Sequence, residues 1–143
     1  MLLNLKISTS IEVNASVVKT WDALTNPEII KEYLFGTETI TDWKAGSPII
    51  FQGEWNGQNY KDKGVILEII PEKLLKYSYW SGFSGIEDKP ENYAIVTYQL
   101  SSNGNQTTLK ITQEGFAGEK SYESSQKDWG LVLDKMKEII EKK

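Results

Sequence analysis

The sequence predicts an α+β fold in which a curved antiparallel sheet of seven strands wraps round one long C-terminal helix. Three observations predict it: two short helices follow the first strand, strands joined by short turns come next, and the hydrophobic period then changes from two to about 3.6. A helix is about 10 Å in diameter, whereas seven strands span about 30 Å. The sheet therefore has to curl around the helix, and a central cavity between them is the expected result.

The first strand and the two short helices are predicted from the N-terminal quarter of the chain. Ile7 to Val13 is rich in β-forming residues. Asn14 is a suitable N-cap for the first helix, while Asn26 can cap the second and Pro27 suits its first position. Apolar residues recur at helical spacing after each cap: Val17, Trp21 and Leu24, then Ile29, Ile30, Tyr33 and Leu34.

Six more strands are predicted from alternating apolar residues and from turns. A short strand is expected near Gly36 to Thr41, and Asn56-Gly57 is a strong hairpin signal. Further turns are predicted at Pro71-Glu72 and Asn103-Gly104-Asn105, with a longer loop at 81–92. The apolar residues that mark the other strands are Ile49, Phe51 and Trp55; Val65, Leu67 and Ile69; Leu75, Tyr77 and Tyr79; Ala94, Val96, Tyr98 and Leu100; and Leu109 and Ile111.

The C-terminal segment predicts an amphipathic helix of roughly 20–23 residues. Its spacing of three or four residues is typical of a helix that packs one face on a sheet. Met136 and the aromatic residues of this face can either line a ligand cavity or fill the core. The face consists of Tyr122, Gln126, Trp129, Leu133, Met136 and Ile140.

Composition excludes several classes of function. The 143 residues contain no Cys, no His and no Arg, and the net charge is −4. Disulfides, thiolate catalysis, the usual zinc sites and Ser-His-Asp triads are therefore excluded for this chain alone. We expect no metal and no cofactor.

Charge and hydropathy limit the kinds of partner and the location that we expect for the chain. No basic stripe suited to nucleic acid is present, because Lys61-Asp62-Lys63 is interrupted by an acid and the terminal lysines lie at a helix end. No apolar run approaches the roughly 18 residues of a membrane span, and no secretion signal is visible. We expect one domain over residues 1–143, located in the cytoplasm, with no nucleic-acid partner and no membrane insertion.

Several stretches, taken in order, carry a resemblance to a known superfamily. They lie in the first helix pair, the central strands and the C-terminal strand and helix. The stretches are Trp21 to Glu28, Trp43 to Ile49, Phe51 to Trp55, Lys61 to Gly64, Leu67 to Leu74, Thr108 to Thr112, and Gly115-Phe116 before a Trp-bearing helix.

Together they resemble the START-like (SRPBCC), helix-grip superfamily, which includes the major birch pollen allergen and the polyketide cyclase-like proteins. Within it, the chain is similar to bacterial homologues of the activator of heat-shock protein 90 ATPase, specifically to the activator's C-terminal domain. The resemblance covers Ile7 to Ile140. It implies a helix-grip fold with a ligand-holding cavity, and it supplies no set of catalytic residues.

The first functional hypothesis is that the cavity binds a hydrophobic small molecule, aromatic or lipid-like. Tyr and Trp suit such a pocket, because each offers an apolar body with a polar group at its edge. The alternative is that the same side chains only fill the core. The candidate ligand-binding residues are Trp21, Phe51, Trp55, Tyr79, Tyr98, Phe116, Trp129, Leu133 and Met136.

The second hypothesis is a cyclase- or lyase-like enzyme. Only carboxylates, Lys and Tyr remain for proton transfer, and a catalytic carboxylate would have to be buried. Glu54, Asp62 and Glu68 are the acids nearest the sheet, and Tyr79 or Tyr98 can donate to an enolate. By alternation, Glu54 and Glu68 are expected to face solvent.

The third hypothesis is a protein-interaction role, as a chaperone cofactor of the kind that the resemblance implies. The 81–92 loop is the expected contact, since it is long and carries Trp80 and Phe83 at its start. The alternative is that Phe83 covers the cavity while Gly82 and Gly85 shape the turn.

Overall fold

The computed structural model describes residues 3–55, 57–81, 87–116 and 118–142. A short 3₁₀ turn, Pro90–Asn92, precedes the sixth strand. The strands and α-helices are β1 (Leu3–Val13), α1 (Val17–Thr25), α2 (Pro27–Tyr33), β2 (Glu38–Ile40), β3 (Pro48–Trp55), β4 (Gln58–Ile70), β5 (Leu74–Tyr79), β6 (Ala94–Asn103), β7 (Gln106–Phe116) and α3 (Glu119–Lys142).

The strands form one antiparallel sheet of seven strands in the order β1-β7-β6-β5-β4-β3-β2. Strands that follow one another from β2 to β7 lie side by side, as consecutive strands usually do. The α1–α2 pair carries the chain from β1 at one edge to β2 at the other. The sheet curves round α3, which confirms the predicted α+β helix-grip architecture.

The second helix begins as predicted, whereas the first begins two residues late. Asn26 Oδ1 accepts the Glu28 N–H at 3.1 Å and Pro27 occupies the first helical position. The N-cap of α1 is Ser16 rather than Asn14. The backbone N–H of Asn14 instead donates to the Glu141 carboxylate at 2.8 Å, so a contact with the far end of the chain holds this residue in the bend before α1.

In the middle of β4 the inward face is the opposite of the one predicted, whereas Ile69 beyond it packs against the core as predicted. Val65 and Leu67 are 38% and 45% exposed, whereas Ile66 between them is fully buried. The pairing of β4 with β5 then shifts register between Ile66 and Glu68, as a β-bulge does. Glu68 is therefore exposed as expected, but because the bulge reverses the alternation beyond Ile66 rather than because Leu67 faces the core.

The C-terminal helix is amphipathic as predicted and contains 24 residues, slightly more than expected. Its second half packs on the sheet through a strip of five buried side chains, whereas Gln126 in its first half is exposed. None of the helices in the described part of the chain has the length and hydrophobicity to cross a membrane. The buried strip consists of Val132, Leu133, Met136, Ile139 and Ile140.

Candidate functional site

A cavity of about 260 Å³ lies between the inner face of the sheet and the first half of α3. Its wall combines apolar, aromatic and polar groups from β3 to β7, from the α2–β2 segment and from α3. It reaches the surface beside the exposed residue Asp128. The aromatic side chains in the wall are Phe51, Tyr60, Tyr77, Tyr79, Tyr98 and Trp129.

Five of these rings form a continuous row along the wall. Phe51 lies 5.6 Å from Tyr77 and 5.9 Å from Tyr79, measured between ring centroids. Tyr98 continues the row at 5.9 Å from Tyr77 and 6.1 Å from Trp129. These tilted and edge-on arrangements are the ones that aromatic pairs prefer. The row exists because alternate residues of β5 and β6 point inward and one turn of α3 covers them.

Hydrogen bonds to the protein hold the polar groups of Trp129, which belongs to this row, and of Tyr60, which does not. Trp129 donates its indole N–H to Gln113 Oε1 at 2.7 Å. The Thr37 hydroxyl donates to the Leu34 carbonyl at 2.9 Å, so it accepts the hydrogen bond that the Tyr60 hydroxyl makes with it. Both donors are therefore engaged by the protein and are held away from a ligand.

Tyr77 and Tyr98 share a third hydrogen bond deep in the wall. Their hydroxyl oxygens are 3.2 Å apart, and both residues are buried. Burial raises the pKa of Tyr98 to about 12 and that of Tyr77 well above its usual value. Both side chains therefore stay neutral at physiological pH, and one of the two hydroxyl protons remains available to a ligand.

Asp62 is the buried carboxylate of the cavity, with only 8% of the residue exposed. The Tyr79 hydroxyl donates to its Oδ2 at 2.6 Å. Its other oxygen, Oδ1, has no hydrogen-bond partner in the described part of the chain. Burial first, and the neighbouring Asp62 charge second, raise the pKa of Tyr79, so the tyrosine remains a donor. An unpaired buried oxygen of this kind is costly unless something binds it.

Glycine permits the close approach of β4 and β5 that places Tyr79 beside Asp62. A Cβ on Gly64 would lie 1.7 Å from the Ser78 carbonyl oxygen. Gly53 has a similar role on β3, where a Cβ would lie 2.7 Å from the hydroxyl oxygen of Tyr60. Side chains at these two positions would push the neighbouring strand or the Tyr60 ring out of place.

The structure brings some of the predicted ligand-binding residues together and separates others. Phe51, Tyr79, Tyr98 and Trp129 line the cavity. Trp21 packs half-buried against the core outside the cavity wall, and the side chain of Trp55 lies outside the described residues. The remaining three are buried elsewhere: Phe116 against Tyr122, and Leu133 and Met136 in the core strip of α3.

The wall also contains Tyr60, Tyr77 and Gln113, which are not among the predicted ligand-binding residues. Tyr77 and Tyr79 are two residues apart on β5 and therefore share a face, and this pattern could have indicated that Tyr77 lines the cavity. Tyr60 precedes Asp62 by two residues on β4 and shares its face. Gln113 lies on β7, and no sequence pattern pointed to its contact with Trp129.

The other two hypotheses named three acids and the 81–92 loop, and the structure describes the acids and part of the loop. Glu54 and Glu68 are exposed, and Asp62 alone of the three acids lines the cavity. Trp80 is half-buried, and its backbone pairs with that of Lys63, whose ammonium lies 5.8 Å from the indole centroid. Gly82, Phe83 and Gly85 lie outside the described residues.

A curved antiparallel sheet that grips a C-terminal helix over a lined cavity defines a START-like (SRPBCC) ligand-binding fold. Residues 14–141 match the family model described as Activator of Hsp90 ATPase homolog 1-like protein. The chain therefore belongs to this family. No curated protein matches the sequence.

Solved structures agree with this assignment. The solution structure of ChR145 from Cytophaga hutchinsonii is 40% identical, with a TM-score of 0.84, over 99% of this chain and 97% of that one. MLL2253 from Mesorhizobium loti is 20% identical, with a TM-score of 0.79, over 96% and 98% of the two chains. The Aha1 dimer from Colwellia psychrerythraea is 20% identical, with a TM-score of 0.74, over 96% of each chain. The last two show similarity of fold alone.

Proposed function

We propose that the cavity binds a small molecule with an apolar body, aromatic or lipid-like. The observation that carries the proposal is the row of aromatic rings facing an internal volume of about 260 Å³. A dry apolar cavity of about 150 Å³ holds benzene, and pockets for drug-sized ligands begin near about 300 Å³. The volume therefore favours a compact molecule of one or two rings over a long-chain lipid.

Filling the cavity is expected to weaken ligand binding without unfolding the protein. Val96 is buried in the wall, so Val96→Phe places a ring in the space that a ligand would occupy. Val18→Phe is the matched control, because Val18 is 60% exposed on α1. Binding of 2-phenylethanol is measured by calorimetry, and native mass spectrometry with denaturing extraction identifies any molecule that copurifies.

We expect Val96→Phe to weaken 2-phenylethanol binding by at least about tenfold, which corresponds to about 1.4 kcal/mol. Val18→Phe is expected to bind like the unaltered protein. Thermal unfolding shows whether each variant is folded. A folded Val96→Phe variant that binds the probe normally, or that retains the copurified molecule, would contradict the proposal.

A second candidate function is proton abstraction from a carbon next to a carbonyl group. It is favoured by Asp62, because a buried carboxylate and several tyrosines line the same cavity. Asp62 would take the proton from carbon, and the enolate oxygen would accept a hydrogen bond. Since the Tyr79 hydroxyl already donates to Asp62, the donor would come from the Tyr77–Tyr98 pair.

This candidate predicts that the protein accelerates deuterium exchange at the acidic carbon of 2-indanone in deuterated buffer. NMR measures the exchange rate against buffer alone. Asp62→Asn is expected to remove the acceleration, because an amide is not a base, whereas Asp128→Asn at the mouth of the cavity is expected to retain it. An exchange rate equal to that of buffer would rule out this candidate for enolisable ketones of this size.

A further inference from the structure

We infer that the cavity selects a small organic ammonium, meaning an amine attached to a compact apolar body, and that Asp62 binds its charged end. The inference rests on the proposed binding function and adds the charge of the ligand to it. Three independent features of the wall support it: the sign of its charges, the hydrogen-bonding state of Asp62, and the rings beside this carboxylate.

The charged side chains in the described wall are both acidic. Asp62 lies inside the cavity and Asp128 lies at its mouth, while no lysine is among the described residues that line it. Lys63 follows Asp62 in the chain, but its ammonium pairs with Asp88 outside the cavity. A carboxylate or phosphate on the ligand would therefore meet negative charge and no compensating cation, which disfavours fatty acids and phosphorylated ligands.

The hydrogen bonds of the wall leave an acceptor without a donor. Tyr79 holds Oδ2 of Asp62 and fixes the carboxylate, while Oδ1 is buried and unpartnered in the described residues. Trp129 and Tyr60 are engaged with Gln113 and Thr37, so neither can supply the missing donor. A ligand that donates a hydrogen bond to Oδ1 satisfies the carboxylate, and a charged donor does so most strongly.

The aromatic groups next to Asp62 suit a cation. Phe51 lies directly opposite Asp62 in the β3–β4 pairing, and both side chains are on the inner face of the sheet. The Tyr79 ring, whose hydroxyl contacts Asp62, lies 5.9 Å from the Phe51 ring. The faces of such rings attract an ammonium, and this attraction increases when the cation leaves water. The rest of the aromatic row remains for the apolar body.

Three probes with the same carbon skeleton test the inference on the unaltered protein. They are 2-phenylethylamine, 2-phenylethanol and phenylacetate, which at neutral pH differ in the charge of the group at one end. Because a hydrogen bond to a charged group contributes more than a neutral one, we expect the amine to bind at least about tenfold more tightly than the alcohol, with phenylacetate weakest. Calorimetry at fixed pH and salt gives the three dissociation constants.

Two isosteric variants locate the selectivity. Asp62→Asn is expected to reduce the preference for the amine over the alcohol by about tenfold while changing alcohol binding by less than about threefold. Asp134→Asn is the control, and it is expected to retain the preference because Asp134 is exposed on α3 and is not among the described residues that line the cavity. Thermal unfolding of both variants checks that they are folded, and the three probes on the unaltered protein decide the question even if Asp62→Asn is not.

The outcomes separate this inference from the proposed function. Binding of the alcohol without preference for the amine would overturn the inference and leave the proposed function standing. Tighter binding of phenylacetate, or an amine preference that survives in folded Asp62→Asn, would overturn it as well. If the unaltered protein binds none of the three probes, both the inference and the proposed function of a compact aromatic ligand fail.

Discussion

Gly64→Ala is expected to lower the free energy of unfolding by about 3 kcal/mol or more. The added Cβ would lie 1.7 Å from the Ser78 carbonyl oxygen and 2.5 Å from its carbonyl carbon. These are backbone atoms of a paired strand, so no side-chain rotation can relieve the overlap. β4 and β5 would have to separate where they hold Asp62 and Tyr79 together. Urea unfolding followed by tryptophan fluorescence measures the loss.

Gly130→Ala is the matched control for this substitution. Gly130 lies in the interior of α3, and a Cβ there would meet no heavy atom within 4 Å. Because glycine is a poor helix former, we expect the control to raise the stability by about 0.5–1 kcal/mol. A loss of less than about 1 kcal/mol in Gly64→Ala would show that the two strands separate easily, contrary to the close contact between Gly64 and the Ser78 carbonyl group.

Local chemistry was enough to predict most of the fold. Asn26 and Pro27 start α2 as predicted, because a cap and a fixed φ angle act within a few residues. Gly57 lies between the paired strands β3 and β4 and has the positive φ of 78° that the predicted hairpin needs. The alternation of Leu75, Tyr77 and Tyr79 predicted β5 and its inward face.

Contacts between distant parts of the chain decided what the sequence pattern could not. Asn14 and Ser16 are both suitable caps by residue type, and Ser16 is the cap, while the Asn14 N–H donates to Glu141, 127 residues away. On β4, Val65 and Leu67 are the more regular apolar pair, yet the register with β3 and β5 turns Ile66 inward. No local pattern encodes a bulge whose position depends on the neighbouring strand.

The candidate site was predictable only in part, because it also depends on contacts between distant parts of the chain. Helical spacing placed Trp129, Leu133 and Met136 on one face of α3. Only the first of them lies over the cavity, because the sheet closes onto the second half of the helix and buries Leu133 and Met136 in the core. The spacing gives the face of a helix, whereas the curvature of the sheet determines which part of that face is left open.

Alkaline pH is expected to destabilise the protein strongly through its buried tyrosines. Burial raises the pKa of Tyr98 to about 12 and the pKa values of Tyr33, Tyr77 and Tyr79 well above their usual value. In the unfolded chain these hydroxyls ionise near pH about 10. The stabilising contribution of the raised pKa values is therefore complete below that pH and is lost above it, where the unfolded chain releases protons that the folded chain retains.

For Tyr98 the expected loss is up to about 1.4 kcal/mol per pH unit from about pH 10 to about pH 12, and the other three tyrosines add to the loss above about pH 10. Urea unfolding at a series of pH values from about 8 to about 11.5 measures it, and tyrosinate absorbance reports the ionisation itself. Tyr98→Phe removes one ionising group from the buried set and retains the ring that packs on Trp129. Lysine deprotonation affects both proteins alike, so the difference in slope reports Tyr98 together with the rise that it causes in the pKa values of Tyr77 and Tyr33.

We expect the unfolding free energy of Tyr98→Phe to fall less steeply with pH than that of the unaltered protein, even if the variant is less stable at neutral pH. Tyr98→Phe also leaves the Tyr77 hydroxyl without its partner at 3.2 Å, which accounts for a stability loss that is independent of pH. Equal slopes above pH about 10 would mean that Tyr98 ionises as readily in the folded chain as in the unfolded one. The cavity wall would then admit water as far as the Tyr77–Tyr98 pair, and an aromatic ligand that fills the cavity would be expected to restore the difference.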